Sequence, residues 1–97
     1  MEISDNIKPF FWDIDINSLD KEKHKQYIIS RMFNFGDDEA IKWVKEEYTD
    51  EEIEDVARNS RNFTKKSAEF LKNVYGLKED EMKYYINAKE MGGYYFI

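Results

Sequence analysis

The 97-residue chain contains no cysteine, one proline (Pro9), one histidine (His24) and four glycines. Without cysteine there is no disulfide, no thiol nucleophile and no thiolate-bound metal. A single histidine excludes a multi-histidine metal site, and its position on a predicted helix surface offers no Ser–His–Asp triad. No stretch approaches the roughly 18 consecutive apolar residues of a membrane span. The N-terminal Met1-Glu2-Ile3-Ser4-Asp5 has neither the basic region nor the apolar run of a signal peptide, so the expected compartment is cytoplasmic. Motifs of the GxGxxG, Walker A, HExxH and GxSxG types do not occur. These absences leave no nucleophile, metal set or phosphate loop, and the expectation is a non-enzyme without cofactor.

What is present is aromatic and charged. There are 7 Phe, 7 Tyr and 2 Trp, too many for a disordered chain. Yet 37 % of residues are charged and the mean hydropathy is −0.84. The two together describe one small globular domain with a densely charged skin, burying roughly 60–65 % of the surface its unfolded chain exposes.

The few breakers divide the chain into an N-terminal arm (1–18), a helical region (20–88) and an aromatic tail (89–97). In the arm, apolar and acidic residues alternate from Trp12 to Ile16, a strand-like pattern. A lone short strand is not stable, so the arm reads as extended, with Phe10, Trp12 and Ile14 packing onto helices. The first helix runs from about Lys21 to Phe35, capped by Asp20, with Tyr27, Ile28, Met32 and Phe35 on one face and Ile29 and Phe33 widening it. Gly36 ends it at a C′ position. The second runs from about Asp38 to Tyr48, capped by Asp37, with a stripe of Ala40, Ile41, Val44 and Tyr48 flanked by Trp43. A third, from about Glu51 to Asn59 and capped by Thr49 or Asp50, buries Ile53, Val56 and Ala57. The fourth begins after Thr64, presents Ser67, Phe70, Leu71, Val74 and Tyr75, and stops at Gly76 with Leu77 in a Schellman contact. A fifth covers about Glu79 to Ala88, with Met82, Tyr85 and Ile86 on one side. Connections of about two to five residues fit a helical bundle. The expected fold is all-α: about five short helices with an extended N-terminal arm.

The net charge of −6 is unevenly distributed. Counted by segment, residues 1–20 carry −4, 21–36 carry +3, 37–55 carry −8, 56–78 carry +5 and 79–97 carry −2. The trios Asp37-Asp38-Glu39, Asp50-Glu51-Glu52 and Glu79-Asp80-Glu81 each open a predicted helix, where carboxylates meet the helix dipole favourably. The basic block comprises Arg58, Arg61, Lys65, Lys66, Lys72 and Lys78, opposed only by Glu69. It spans two short helices and their turn, the outline of a helix-turn-helix. In that reading Arg58, Arg61, Asn62, Thr64, Lys65 and Lys66 are the nucleic-acid contacts, and the alternative is a solvated basic face balancing the acidic second helix.

Asp13-x-Asp15-x-Asn17 has the opening of a calcium loop, but Ser18 and His24 stand where that loop needs Gly and Glu. The tail Tyr94-Tyr95-Phe96-Ile97 follows a Gly92-Gly93 hinge and either folds back on the bundle or docks into a partner.

The order of residues resembles a small uncharacterised bacterial and archaeal family with a Phe-Trp-Asp motif near its N-terminus. The likeness rests on Pro9-Phe10-Phe11-Trp12-Asp13, Asp15 and Leu19-Asp20, then on Ile28-Ile29-x-Arg31 and Gly36-Asp37. It continues at Ser60-Arg61-Asn62-Phe63-Thr64-Lys65-Lys66-Ser67-Ala68-Glu69-Phe70. It covers about residues 9–77, departing at Ser67, where Thr is usual, and in having no Trp after Phe70. Residues 78–97 lie beyond it. Such proteins are often encoded beside abortive-infection nucleotidyltransferase toxins, so the resemblance implies an antitoxin-like role and no catalytic residues.

Three functions follow as expectations. The first is an interaction protein that binds and neutralises a partner protein, a nucleotidyltransferase-type toxin by the resemblance. Its anchors are Phe10, Phe11, Trp12, Tyr94, Tyr95 and Phe96, because aromatic side chains dominate interface hot spots. The second is a DNA-binding regulator using the third and fourth helices. The third is an acidic inhibitor from a mobile element that blocks a nucleic-acid-binding protein through Asp37–Asp55. A second copy of the chain is a further candidate partner, and a membrane is not.

Overall fold

Three of the described helices begin where the sequence supplies a side chain for an orphan amide of the first turn. The computed structural model describes Asp5 and residues 7–90. Among them are five α-helices, three short 3-10 turns and no strand, the all-α fold expected from the sequence. No described helix is long and apolar enough to cross a membrane. Helix α2 (Asp38–Glu47) is capped by Asp37, whose carboxylate accepts the Ala40 N–H at 3.0 Å. Helix α3 (Asp50–Asn59) opens with a reciprocal box. The Glu52 N–H donates to Thr49 Oγ1 at 3.1 Å, and the Thr49 N–H donates to Glu52 Oε1 at 3.0 Å. That backbone bond from Thr49 holds the Glu52 carboxyl below its ordinary pKa. Helix α4 (Lys65–Tyr75) is capped by Thr64, which accepts the Ser67 N–H at 3.1 Å.

Helix α1 (Lys25–Phe35) starts later than the sequence suggests. Asp20 instead organises a preliminary turn: its carboxylate accepts the N–H groups of Lys23 (2.8 Å) and Glu22 (2.9 Å), and His24 Nδ1 accepts the Asp20 N–H (2.8 Å). The bonds from Lys23 and then Glu22 lower the Asp20 pKa. Helix α5 (Lys83–Glu90) is likewise shorter than expected, because Glu79–Glu81 forms a 3-10 turn. The acidic trios therefore open α2, α3 and this turn. At the end of α4, Gly76 adopts φ +63° and the Leu77 N–H reaches the Lys72 carbonyl at 2.9 Å, the expected Schellman end.

Helix α1 is the central strut, touching α2, α3, α4 and the first 3-10 turn. Ile28, Ile29 and Met32 are inaccessible and Phe33 nearly so. At about 100° per residue these four cover one side, while Tyr27, Arg31 and Phe35 line one edge at i, i+4 and i+8. The face expected to include Tyr27 and Phe35 is therefore rotated, and both rings reach solvent. A similar rotation affects α4, where Ala68 joins Ser67 and Leu71 inside while Phe70 and Val74 are exposed. In α5, Tyr84 is buried with Tyr85 and Ala88, and Ile86 is exposed. The stripes of α2 and α3 fall as expected, with Trp43 buried and Ile41 half-buried.

From Ile7 on, the N-terminal arm is not extended. It coils through the 3-10 turns Lys8–Phe11 and Ile16–Ser18 and delivers Ile7, Phe11 and Leu19 to the core. Full burial of such side chains contributes about 1.5–3 kcal/mol each. Trp12, expected to pack on the helices, is 80 % exposed. The alternating acids have separate local uses: Asp15 caps the second turn by accepting the Asn17 N–H at 3.0 Å, and Asp13 pairs with Arg31.

Polar contacts fix the packing. Ser30 and Ser60 share a buried hydroxyl hydrogen bond of 2.8 Å, and Ser67 Oγ donates to the Phe33 carbonyl at 2.7 Å. Tyr48 donates to the Lys21 carbonyl at 3.0 Å, and burial pushes its phenol pKa up.

Gly36 is not in a left-handed conformation (φ −78°), contrary to the C′ expectation. It is required for space instead. A Cβ there would sit 2.5 Å from both Ala40 Cβ and the Met32 carbonyl oxygen, at the tight corner between α1 and α2. Gly36→Ala is expected to destabilise the fold by about 1–3 kcal/mol through overpacking, read as a lower midpoint in urea denaturation.

Candidate interaction surface

Arg31 gathers more of the molecule than any other polar side chain described. Its Nε donates to the Phe10 carbonyl at 2.5 Å, one terminal nitrogen donates to the Tyr27 hydroxyl at 2.8 Å, and the other meets Asp13 Oδ1 at 2.5 Å. The guanidinium carbon lies 5.8 Å from the Phe11 ring centroid, 5.7 Å from that of Tyr27 and 5.8 Å from that of Phe35. These are cation–π distances. Only a planar fork with five donors satisfies such an arrangement, which a lysine ammonium does not reproduce.

The Phe-Trp-Asp segment thereby acquires a local explanation. Phe11 faces the core, Asp13 neutralises Arg31, and the residue between them is pushed outward. Trp12 is 80 % exposed, and Phe35 and Tyr27 follow at 64 % and 38 %. Beside Arg31 a shallow cleft of about 170 Å³ is lined by Tyr27, Asn34, Phe35 and Asn62. Tyr27 and Phe35 expose their rings beside an ordered arginine, and Trp12 is exposed on the arm segment that Arg31 holds; exposed aromatics are of the kind found at interfaces.

Of the sequence-expected anchors, Phe11 is 1 % exposed and its ring serves the core, so it is not free to meet a partner. Phe10 is half-buried and packs against the core, while Trp12 is free. Tyr94, Tyr95 and Phe96 lie outside the described residues. Sequence reasoning does not single out Arg31, Tyr27 and Phe35 as a site. Their i, i+4, i+8 spacing is the available signal, but it reads equally well as a core face.

The basic block divides in two. Arg58 pairs with Glu54, and Lys72 with Glu79 at 3.2 Å. Arg61, Lys65, Lys66 and Lys78 are exposed and form no ion pair among the described residues. Thr64 and the Asn62 backbone are engaged internally. Asn34 donates to the Asn62 carbonyl at 2.5 Å and accepts the Thr64 N–H at 3.0 Å, while Thr64 Oγ1 serves as the cap of α4. The acidic stretch is engaged in the same way. Asp37 and Glu52 are caps, Glu47 meets Lys21 at 3.6 Å, Glu52 meets Lys25 at 3.5 Å, and Asp50 accepts the Tyr75 hydroxyl at 3.3 Å. Burial and Asp50 together push the Tyr75 phenol up to about 12.

Residues 7–57, just over half of the chain, match the model of a family of unknown function, DUF6922, and the chain belongs to that family. Neither the curated proteins nor the solved structures compared with it include a match. Asp13, Tyr27, Arg31 and Phe35 all fall inside the matched residues, whereas α4 and α5 fall beyond them. The family match ends at residue 57, whereas the resemblance drawn from the sequence extends to about residue 77.

Arg31→Lys is expected to cost about 1–3 kcal/mol, because a lysine leaves the Phe10 carbonyl or Asp13 without its charged donor. Asp13→Asn is expected to cost about 1 kcal/mol or less, since its carboxylate is 41 % exposed and screened by solvent. Urea denaturation measures both, and limited proteolysis should show faster cleavage within residues 7–19 in Arg31→Lys.

Proposed function

We propose that this family member is a non-catalytic, antitoxin-like interaction protein that binds and neutralises a partner protein through the surface around Arg31. One observation carries the reading. Trp12, Tyr27 and Phe35 stand exposed on a base fixed by Arg31, and Trp, Tyr and Arg are the residue types that dominate interface hot spots. The internal hydrogen bonds of Arg31 hold the arm in place before any partner arrives. Less ordering entropy is then lost on binding. The antitoxin-like role, with a nucleotidyltransferase-type toxin as partner, rests on the resemblance described above.

Co-expression with the product of the adjacent gene tests this reading. A complex is expected to survive gel filtration at micromolar concentration. Trp12→Ala with Phe35→Ala is expected to weaken it at least about 30-fold, as loss of a hot spot of about 2 kcal/mol or more implies. Far-ultraviolet circular dichroism should stay unchanged, because both side chains are exposed. Separate elution of the two wild-type proteins would sink the proposal.

A second reading has one specific support: the three exposed, unpaired cations Arg61, Lys65 and Lys66 at the start of α4. As a DNA-binding regulator the protein would lose affinity steeply with salt, and Lys65→Ala with Lys66→Ala would lower that slope by about 2. An electrophoretic shift with its own promoter DNA, titrated with salt, gives the answer. Binding that is absent or indifferent to salt excludes it.

A further inference from the structure

A groove of about 340 Å³ opens between the starts of α2 and α4, over the end of α1. Its floor is apolar. Phe33, Ile41 and Phe70 line it, with the Phe70 ring 6.0 Å from that of Phe33 and 45 % of the Phe70 surface exposed. The walls carry opposite charges. Asp37 and Asp38 stand on the α2 side, and Lys66 stands on the α4 side. Asp37 spends one carboxylate oxygen on the Ala40 N–H. Neither acid forms an ion pair with Lys66 or with any other cation among the described residues.

We propose that this groove is the homodimer interface, occupied by a second copy of the chain. The argument is one of charge complementarity. A purely acidic partner would meet Lys66 but be repelled by Asp37 and Asp38, and nucleic acid falls under the same objection. A purely basic partner would leave Lys66 facing its own sign. The groove needs a partner carrying both signs, spaced across an apolar strip. A two-fold axis running along the groove supplies that partner, because it lays the acidic wall of each copy against the lysine of the other. It also sets Phe70 against the apolar floor of its mate. Closed two-fold pairing requires such a self-complementary patch, and like charges brought together by other arrangements would disfavour them. The dimer removes Lys66 from the cations available to DNA. It stands independently of the surface around Arg31.

The test is sedimentation of the full-length protein. The wild type is expected to reach twice the 11.8 kDa chain mass at tens of micromolar. Lys66→Glu and Asp38→Lys each put like charges face to face at two symmetric positions, and each should weaken the dimer at least about tenfold. Mixed in equal amounts, the two variants should associate again. The Lys66→Glu copy then offers a carboxylate at both positions, and the Asp38→Lys copy answers with an ammonium at both. Phe70→Ala, whose side chain is half-exposed, should also weaken the dimer with no loss of helicity. The proposal is overturned if the wild type stays monomeric up to about 1 mM, if the charge variants dimerise as well as the wild type, or if the mixture remains monomeric.

Discussion

The guanidinium of Arg31 is where the arm and the helices become one structure. Among its described residues the arm carries little regular structure of its own, two 3-10 turns. Ile7, Phe11 and Leu19 drive it onto the bundle by burial, which is strong but undirected. Direction comes from Arg31, which fixes the Phe10 carbonyl and the Asp13 carboxylate at once and stacks on the ring between them. Its side chain is only 11 % exposed. A charge that far from water requires full pairing, and the arm supplies it. Each therefore depends on the other: without the arm Arg31 is a poorly solvated cation, and without Arg31 the arm has no fixed register.

Much of this architecture is written locally. Caps at Asp37, Thr49 and Thr64 fix the starts of α2, α3 and α4 to within a residue, and Gly36 and Gly76 fix the ends of α1 and α4, because a capping bond is a contact between near neighbours in sequence. Face assignment is less legible. The period of 3.6 says that α1 and α4 each have a buried side, but Tyr27, Phe35, Phe70 and Val74 sit at its margin. Only tertiary contacts decide such cases. The arm misleads for a related reason. Alternating Ile and Asp look like a strand, yet Asp15 bonds the amide two residues on and Asp13 reaches a residue 18 positions away. The first is a local competitor to strand pairing. The second is a long-range contact that no periodicity announces.

The net charge of −6 likewise resolves into positions with separate uses. Many carboxylates sit at helix starts, where dipole and cap bonds stabilise them, and Lys8, Lys21, Lys25 and Lys72 each lie 3.0–3.6 Å from an acid in exposed or half-exposed pairs. Pairs of that kind contribute little individually. Their consequence is subtractive: in the basic block they engage Arg58 and Lys72 and leave Arg61, Lys65, Lys66 and Lys78 without an ion pair among the described residues.

The two tryptophans stand in opposite settings, Trp43 at 7 % exposure inside α2 and Trp12 at 80 % on the arm. Their indole fluorescence is consequently divided between two reporters. A water-borne quencher such as iodide reaches Trp12 and not Trp43, so the quenchable fraction of the emission follows the surface around Arg31, and the protected fraction follows the core. Covering of the first without change in the second is the optical signature of a partner seated on the folded protein. Exposure of both together is that of unfolding.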